Sequence, residues 1–332
     1  MELQGCRTCS DWARLHGESA VGTVTGYDQF LIVEVPLPWP YAVTEARALP
    51  PGLYTVIEEA MRRKLAFRFE AIAPDAEWSQ AGLTRIIAYK LVKIDGSFDE
   101  KVSFHQGFVR REFMLPLEQV AGLAAALLYE PEHLAAFATW AVNDGPVRDL
   151  LVCTQGSRDA ACGHYGYPLY REIRDHWCGP TTPGLRVWRA SHIGGHRFAG
   201  TLLEFPAGLG WGYVTNAELG PLLHQNEGPG ALAHCYRGSL APVTHWEQIA
   251  EREALQQVGW PWLTGPRRTE LLSQGPDSAE VLVESLSPRR RWRATVAASG
   301  QVASQPNTKG PVRTESQYSI TKWQEERLDR SV

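Results

Sequence analysis

Cysteine, strong net charge and long apolar runs are all scarce in this sequence. Six cysteines among 332 residues are too few for the dense disulfide scaffold of a small secreted domain. The formal net charge of -4 gives no reason to expect nucleic-acid binding. No apolar run approaches the ~18 residues of a spanning helix, and the opening MELQGCRTCSDW lacks the apolar core of a signal peptide. We therefore expect a cytoplasmic protein with no nucleic-acid and no membrane partner.

The chain is long enough for two or three compact units, and we divide it into three regions. Residues 1–143 alternate candidate strands, such as QFLIVEVP and TRIIAYKLV, with helical stretches such as GLYTVIEEAMRRKL and the run from LEQVAGLAAALLY to FATWAV. Residues 144–238 follow the turn sequence NDGP. Residues 239–332 open with a predicted helix, HWEQIAEREALQQVG, followed by the strands AEVLVESL and RRWRATVA and a polar tail. The pattern predicts a mixed α/β (α+β) protein.

The middle region has the most regular order of elements. The apolar run RDLLVCT reads as a buried strand, GYPLYREIRDHW as a helix and LRVWRAS as a second strand. The segments GTLLEFP and GWGYVT predict a hairpin, and NAELGPLLHQ predicts a last helix with Asn216 as its N-cap. This order is the one that a thioredoxin-like sandwich needs, a small sheet covered by helices.

Four side chains of this region are candidate metal ligands. Cys153 ends the first strand, Cys162 precedes the helix, and His192 and His196 lie in the loop after the second strand. Two thiolates and two imidazoles suit zinc or iron–sulfur chemistry. Eight residues separate the two cysteines, whereas zinc fingers favour two to four; the longer loop can wrap a larger group. The residues alone leave both metals open.

The motifs around these ligands resemble those of a known family. The segment VCTQGSRDAACGHYGYPLYREIRD, followed by SHIGGHRFAGTLLEFPAGLGWGYVTNAELGPLL, is similar to the thioredoxin-like [2Fe-2S] ferredoxins, with H-x3-H in place of their second cysteine pair. That replacement, with YRG downstream at residues 236–238, resembles the sucrase/ferredoxin-like family. The resemblance extends over residues 5–255 and weakens in the last third. There the cysteine that the family leads us to expect is missing from VASQPN, so the resemblance gives the tail no part in redox work.

The resemblance implies a [2Fe-2S] cluster with Cys153 and Cys162 on one iron and His192 and His196 on the other. The implied function is single-electron transfer between donor and acceptor proteins that the sequence does not identify. Because neutral imidazole replaces anionic thiolate on one iron, the potential should exceed that of an all-cysteine cluster. A ligating imidazole keeps one N–H, so the transfer should be proton-coupled, with a potential that falls as the pH rises in the alkaline range.

Two other functions stay open at this stage. The same four side chains would also form a structural Cys2His2 zinc site, and Cys6 with Cys9, or Cys153 with Cys162, would form the dithiol of a thiol oxidoreductase. We interpret Cys6-x-x-Cys9 as an incidental pair, because no βαβ pattern follows it. No paired carboxylates stand out for glycosidic chemistry, so an electron carrier is favoured over a hydrolase.

Overall fold

A computed structural model describes residues 7–97, 101–226 and 228–327. Within these ranges the strands are β1 (Gln29–Glu34), β2 (Phe67–Ile72), β3 (Thr84–Ser97), β4 (Lys101–Leu115), β5 (Arg148–Cys153), β6 (Leu185–Ala190), β7 (Leu202–Phe205), β8 (Leu209–Trp211), β9 (Tyr236–Ser239), β10 (Arg267–Gln274), β11 (Ser278–Leu286), β12 (Arg289–Ser304) and β13 (Arg313–Glu325). The α-helices are α1 (Cys9–Leu15), α2 (Leu53–Arg62), α3 (Val120–Leu128), α4 (Tyr167–His176), α5 (Asn216–His224), α6 (His245–Val258) and α7 (Pro261–Thr264). The mixed α/β (α+β) class predicted from the sequence is confirmed. No helix in the described ranges is both long and apolar enough to cross a membrane.

The strands of the described residues form one continuous sheet. Its order is β13-β12-β11-β10-β4-β3-β1-β2-β6-β5-β7-β8-β9. The middle region joins the first where Ile72 of β2 pairs with Ala190 of β6. The last region joins the first where Arg267 of β10 pairs with His105 of β4. The division into residues 1–143, 144–238 and 239–332 stays a prediction about folding units, which strand pairing does not decide.

The strands of the first region are covered by α2 and α3. The buried residues of α2 recur at the spacing of one helix face, namely Leu53, Val56, Ile57 and Ala60. They share a core cluster with Val33 of β1. This packing holds β1 parallel to β2 and antiparallel to β3, in the middle of the sheet.

The middle region is built as a strand–helix–strand unit followed by a hairpin. Strands β5 and β6 run parallel, and α4 connects them, because parallel neighbours need a crossover. Leu169 and Ile173 of α4 pack in one core cluster with Leu150 and Val187 of the two strands. Because the strands are parallel, their carboxyl ends lie at the same edge of the sheet. The predicted element order is borne out, while the thioredoxin-like arrangement stays a prediction.

Three local predictions are wrong. The helix predicted from LEQVAG to FATWAV ends at Leu128 and is followed by a 3-10 helix, Pro131–Trp140, because a proline disfavours helical backbone in the residue before it. Thr215, not Asn216, is the N-cap of α5: it forms a capping box with Glu218.

The third wrong prediction concerns the polar tail. Strand β12 continues to Ser304 and β13 pairs with it antiparallel along its length. Tyr318, Ile320 and Trp323 of β13 pack partly buried against the core. The other side of this ribbon faces solvent, and so its sequence is polar enough to resemble a loop.

Candidate metal centre

Cys153 and His192 follow neighbouring strands at the same edge of the sheet. Cys153 is the last residue of β5 and pairs with Ala190, the last residue of β6. His192 comes two residues after β6 ends. The carboxyl ends of parallel strands are where open α/β sheets present their ligand-binding groups. The sheet therefore brings together a thiol and an imidazole that are 39 residues apart.

Cys162 reaches the same place from a single turn of π-helix, Cys162–Gly166, which runs directly into α4. Such turns are rare and occur often at functional sites. The turn lies against the end of β5, and a Cβ added at Gly166 would overlap the carbonyl oxygen of Cys153. Glycine at 166 therefore permits the close approach of the two cysteine segments.

Three of the four predicted ligands meet directly. His192 Nδ1 lies 4.0 Å from Cys153 Sγ and 3.9 Å from Cys162 Sγ. The three potential ligand atoms all lie within 4.8 Å of one another. Both cysteines are buried, at 1% exposure each. This cluster of two thiols and an imidazole could hold a metal.

His196 lies beside this group and belongs to a second one. Its ring centroid is 5.0 Å from that of His192. Ligand atoms of His196, Cys9 and Asp159 also lie within 4.8 Å of one another. The edge of the sheet thus carries two adjacent sets of donor atoms.

Only one nitrogen of His196 is free to bind a metal. Nε2 lies 2.6 Å from the carbonyl oxygen of Pro306 and must donate to it, because a carbonyl only accepts. Nδ1 is buried with no hydrogen-bond partner among the described residues. Burial lowers the pKa of His196, so its ring is neutral at pH 7 and Nδ1 offers a lone pair.

A hydrogen bond links the two cysteine side chains. The Cys162 thiol donates to the Cys153 sulfur, and this hydrogen bond lowers the pKa of Cys153 well below the ordinary value. The same bond, together with burial, raises the pKa of Cys162. Cys153 is therefore the more acidic of the two thiols, and the more acidic thiol gives up its proton to a metal more readily.

Three buried or half-buried side chains fix the backbone between the histidines. Gln155 Oε1 accepts from the His192 amide at 2.8 Å. Arg68 Nη2 donates to the His192 carbonyl at 2.6 Å, and Arg237 Nη1 donates to the Gly194 carbonyl at 3.2 Å. Gly194 and Gly195 have φ of 85° and 71°, a left-handed backbone that disfavours other residues. The loop conformation is therefore determined by its glycines and by three neighbouring segments.

The C-terminal ribbon contributes the turn that follows β12. Thr308 donates from its backbone N–H to Asp159 Oδ2 at 2.9 Å and from Oγ1 to Asp159 Oδ1 at 2.6 Å. It also accepts from the Cys9 amide at 3.2 Å. Pro306 supplies the carbonyl that accepts from His196. The resemblance gave the C-terminal tail no part in redox work, but the tail contacts His196, a predicted ligand.

The sequence prediction missed several residues of this site. Cys9, interpreted as half of an incidental pair, is buried next to Asp159 and His196; Cys6 lies outside the described residues. Gln155 and Asp159 lie in the loop between the two cysteines. Polar side chains in a loop between two proposed ligands could have been predicted to support the site. Arg237 is part of the YRG motif, which supported the resemblance without receiving a role.

Comparison with known proteins supports the resemblance stated above. No curated protein and no solved structure matches the chain. One family model does, described as sucrase/ferredoxin-like, and it matches residues 20–238, more than half of the chain. The matched segment contains all four predicted ligands, although Cys9 and the C-terminal ribbon lie outside it. The chain belongs to the sucrase/ferredoxin-like family.

Proposed function

We propose that the protein holds a [2Fe-2S] cluster and transfers single electrons through it between a donor and an acceptor protein. The proposed ligands are Cys153 and Cys162 on one iron and His192 and His196 on the other. One observation carries the proposal: a buried thiol pair lies 3.9 to 4.0 Å from a histidine nitrogen. Beside it, a second histidine nitrogen has no hydrogen-bond partner among the described residues. A buried polar atom without a partner is costly, and a metal bond would satisfy it.

The donor atoms and their surroundings fit this group. Thiolates hold iron–sulfur clusters, and imidazoles replace two of them in one known class. Ligating histidines usually donate their second N–H to a carbonyl or carboxylate, which fixes the tautomer; His196 does so with Pro306. When bound, the cluster would supply a one-electron carrier with a potential above that of an all-cysteine site. The protein's part is to bind it, orient the imidazoles and exclude water.

A mononuclear zinc site is the second candidate. The His192 nitrogen lies 4.0 and 3.9 Å from the two sulfurs, close to the roughly 3.5–3.8 Å between neighbouring ligand atoms of a tetrahedral ion whose bonds are about 2.0–2.3 Å long. The eight-residue loop between the cysteines and the second donor set around His196 support the larger cluster.

The metal content of the protein separates these candidates. The full chain is purified without oxygen and analysed for iron, zinc and acid-labile sulfide, and paramagnetic resonance is recorded after dithionite reduction. We expect about two irons and two sulfides per chain, and a spectrum with nitrogen couplings. Zinc without iron would establish the structural site instead. Metal-free protein that reduces disulfides would establish the thiol oxidoreductase.

Substitution of the histidines tests the ligand set. The His192→Ala/His196→Ala double variant should lose or alter the visible chromophore. The matched control is His133→Ala/His176→Ala, since those two side chains are 65% and 66% exposed. We also propose a cytoplasmic location, where thiols stay reduced, and a potential that falls with pH in the alkaline range. A potential flat up to pH ~10 would contradict histidine ligation.

A further inference from the structure

Arg237 is a buried cation at the inner side of the histidine loop. It lies in β9 and is 2% exposed. Its guanidinium donates to Thr23 Oγ1 at 3.1 Å, to the Thr23 carbonyl at 2.8 Å and to the Gly194 carbonyl at 3.2 Å. All three acceptors are neutral oxygens. The hydrogen bonds give each of the three guanidinium nitrogens a partner without neutralising the charge.

The other buried arginines of the described residues are neutralised differently. Arg186 bonds Asp149 and Glu112 at 2.8 and 2.9 Å, and Arg85 is paired with Glu112. Arg267 lies 3.9 Å from Glu251. Among the described residues Arg237 has no carboxylate within 4.0 Å. A buried charge without a partner is strongly unfavourable, so this position calls for a negative charge from another source.

The charged groups around Arg237 leave one candidate for that source. Glu70 lines the same small cavity, but its carboxylate already bonds Arg68 at 2.7 Å and Ser191 at 2.6 Å. Arg197 repels Arg237. Cys153, a proposed ligand of the site, is the group that attracts the guanidinium. Burial lowers the pKa of Arg237 to about 10, so Arg237 stays charged at pH 7.

We infer that Arg237 is a positioning residue and the buried counter-charge of the iron–sulfur site, an inference that rests on the proposed function. In the oxidised site, the charges of two ferric ions, two sulfides, two thiolates and two neutral imidazoles cancel. One electron from a donor protein turns one iron ferrous, oxidises the donor and leaves the site with one negative charge. The Arg237 guanidinium attracts that charge through a low-dielectric interior, and therefore raises the reduction potential.

The same side chain holds the ligand loop in place. A Cβ at Gly195 would overlap the guanidinium nitrogens of Arg237, so loop and guanidinium are packed against each other. Because Arg237 bonds the Gly194 carbonyl, it fixes the peptide that lies between the two proposed histidine ligands. The charge of Arg237 should therefore affect the reduction potential, whereas its planar, hydrogen-bonding guanidinium should affect how long the cluster stays bound.

Two substitutions at position 237 separate charge from shape. Arg237→Gln removes the charge and keeps a polar side chain. At a fixed ambient potential we expect its ratio of reduced to oxidised protein to fall at least tenfold, a decrease of about 59 mV for a one-electron couple. Arg237→Lys keeps the charge and loses the planar fork. The ratio of reduced to oxidised protein in Arg237→Lys should stay within about threefold of the wild-type ratio, while its cluster is lost faster in the presence of a chelator.

A second route tests the charge if Arg237→Gln does not fold. Thr23→Asp places a carboxylate beside the guanidinium at a half-buried position. It thereby supplies the negatively charged partner that Arg237 does not have among the described residues. Its potential should fall as in Arg237→Gln. The matched control is Arg148→Gln. Arg148 lies at the opposite end of β5 from Cys153, about 16 Å away along the strand, and is paired with Glu204 at 2.8 Å. Its potential should not change.

The outcomes distinguish this inference from the proposed function. Wild-type protein without iron and sulfide overturns both. Protein that binds the cluster, with unchanged potentials in Arg237→Gln and Thr23→Asp, overturns the counter-charge alone. A potential that falls as far in Arg237→Lys as in Arg237→Gln would also overturn it, because the lysine keeps the charge. Thermal unfolding of the metal-free variants, recorded in parallel, measures the purely structural contribution of the side chain.

Discussion

His196 Nε2 donates a hydrogen bond to the carbonyl oxygen of Pro306, at 2.6 Å and across 110 residues of chain. The bond connects a proposed ligand in the middle of the sequence to the turn after β12. Further contacts hold the ribbon there: Trp12 Nε1 donates to the Ala303 carbonyl at 2.8 Å, and Ser304 donates to Glu18 at 3.0 Å. The C-terminal ribbon is therefore part of the wall of the candidate metal centre.

The first prediction concerns the anchor of this turn. Thr308→Val removes the hydroxyl that bonds the Asp159 carboxylate at 2.6 Å. Because a hydrogen bond to a charged group contributes about 1.5–3 kcal/mol, we expect the free energy of unfolding to fall by that amount. His196 should also lose part of its support, so that a chelator bleaches the visible absorbance faster.

A threonine on the same ribbon provides the control. Thr321 is exposed and donates to the Thr295 carbonyl at 3.3 Å, within the strand pairing. Thr321→Val should leave both stability and bleaching rate close to the wild type. If the two variants bleach at the same rate, the turn does not support His196.

The second prediction concerns the contact between the two cysteine segments. Gly166→Ala would drive a Cβ into the Cys153 carbonyl oxygen, which is backbone and cannot move away cheaply. We expect a loss of a few kcal/mol, as for other overpacked sites, and protein with little iron. Gly220→Ala is the matched control, since a Cβ there meets nothing within 4 Å. Because Pro221 follows it in α5, the helix propensity of alanine is offset there, so this variant should keep normal iron content and change stability by no more than ~1 kcal/mol. Normal iron content in Gly166→Ala would contradict the close approach of these segments.

The third prediction concerns Glu251, which is fully buried in α6 far from the ligands in sequence. It faces Arg267 and His105, each at 3.9 Å, and Tyr236 at 3.4 Å; Glu247 repels it. Burial raises the pKa of Glu251 from 4.5 to about 7. A carboxyl whose pKa is raised by folding stabilises the fold below its unfolded pKa, and this contribution is lost as the pH rises to the folded value.

Relative to Glu251→Gln, the wild type should therefore lose about 3 kcal/mol of unfolding free energy between pH 4.5 and 7. Denaturant titrations at several pH values measure this difference on metal-free protein. The exposed Glu280→Gln serves as the control for the loss of one carboxylate. A difference between wild type and Glu251→Gln that does not vary with pH would exclude the raised pKa.

The sequence predicts the part of the site that depends on strand order. Cys153 and His192 follow two parallel strands, and parallel strands end at one edge, so the strand pattern alone is enough to expect that they meet. The same reasoning placed Cys162 at the start of α4. These inferences need only local patterns and one topological rule.

The rest of the site could not be predicted because it comes from segments far away in the sequence. Strand β13 packs only one side against the core, and that side is only partly buried. Its composition therefore resembles that of a loop. Cys9 lies near the start of the chain, and only the docking of α1 beside the 3-10 helix His196–Phe198 brings it to Asp159. The role of Arg237 depends on which groups surround it, and a sequence does not show that a buried cation lacks a partner.

The last prediction asks whether Cys9 is a ligand. Its sulfur lies 3.7 Å from Asp159 Oδ1, and burial raises the pKa of Cys9 to about 12. Its thiol donates to Asp159 and lies in the donor set of His196, outside the group formed by Cys153, Cys162 and His192. Cys9→Ala should keep iron, sulfide and the visible spectrum, whereas Cys153→Ala and Cys162→Ala lose them. Cys235 is another buried thiol, and burial raises its pKa to about 12 as well. Cys235→Ala therefore serves as the control for the loss of stability when a buried thiol is removed. If Cys9→Ala loses the cluster and Cys235→Ala keeps it, then Cys9 takes the place of one of the four proposed ligands, and His196 is the one that shares its donor set.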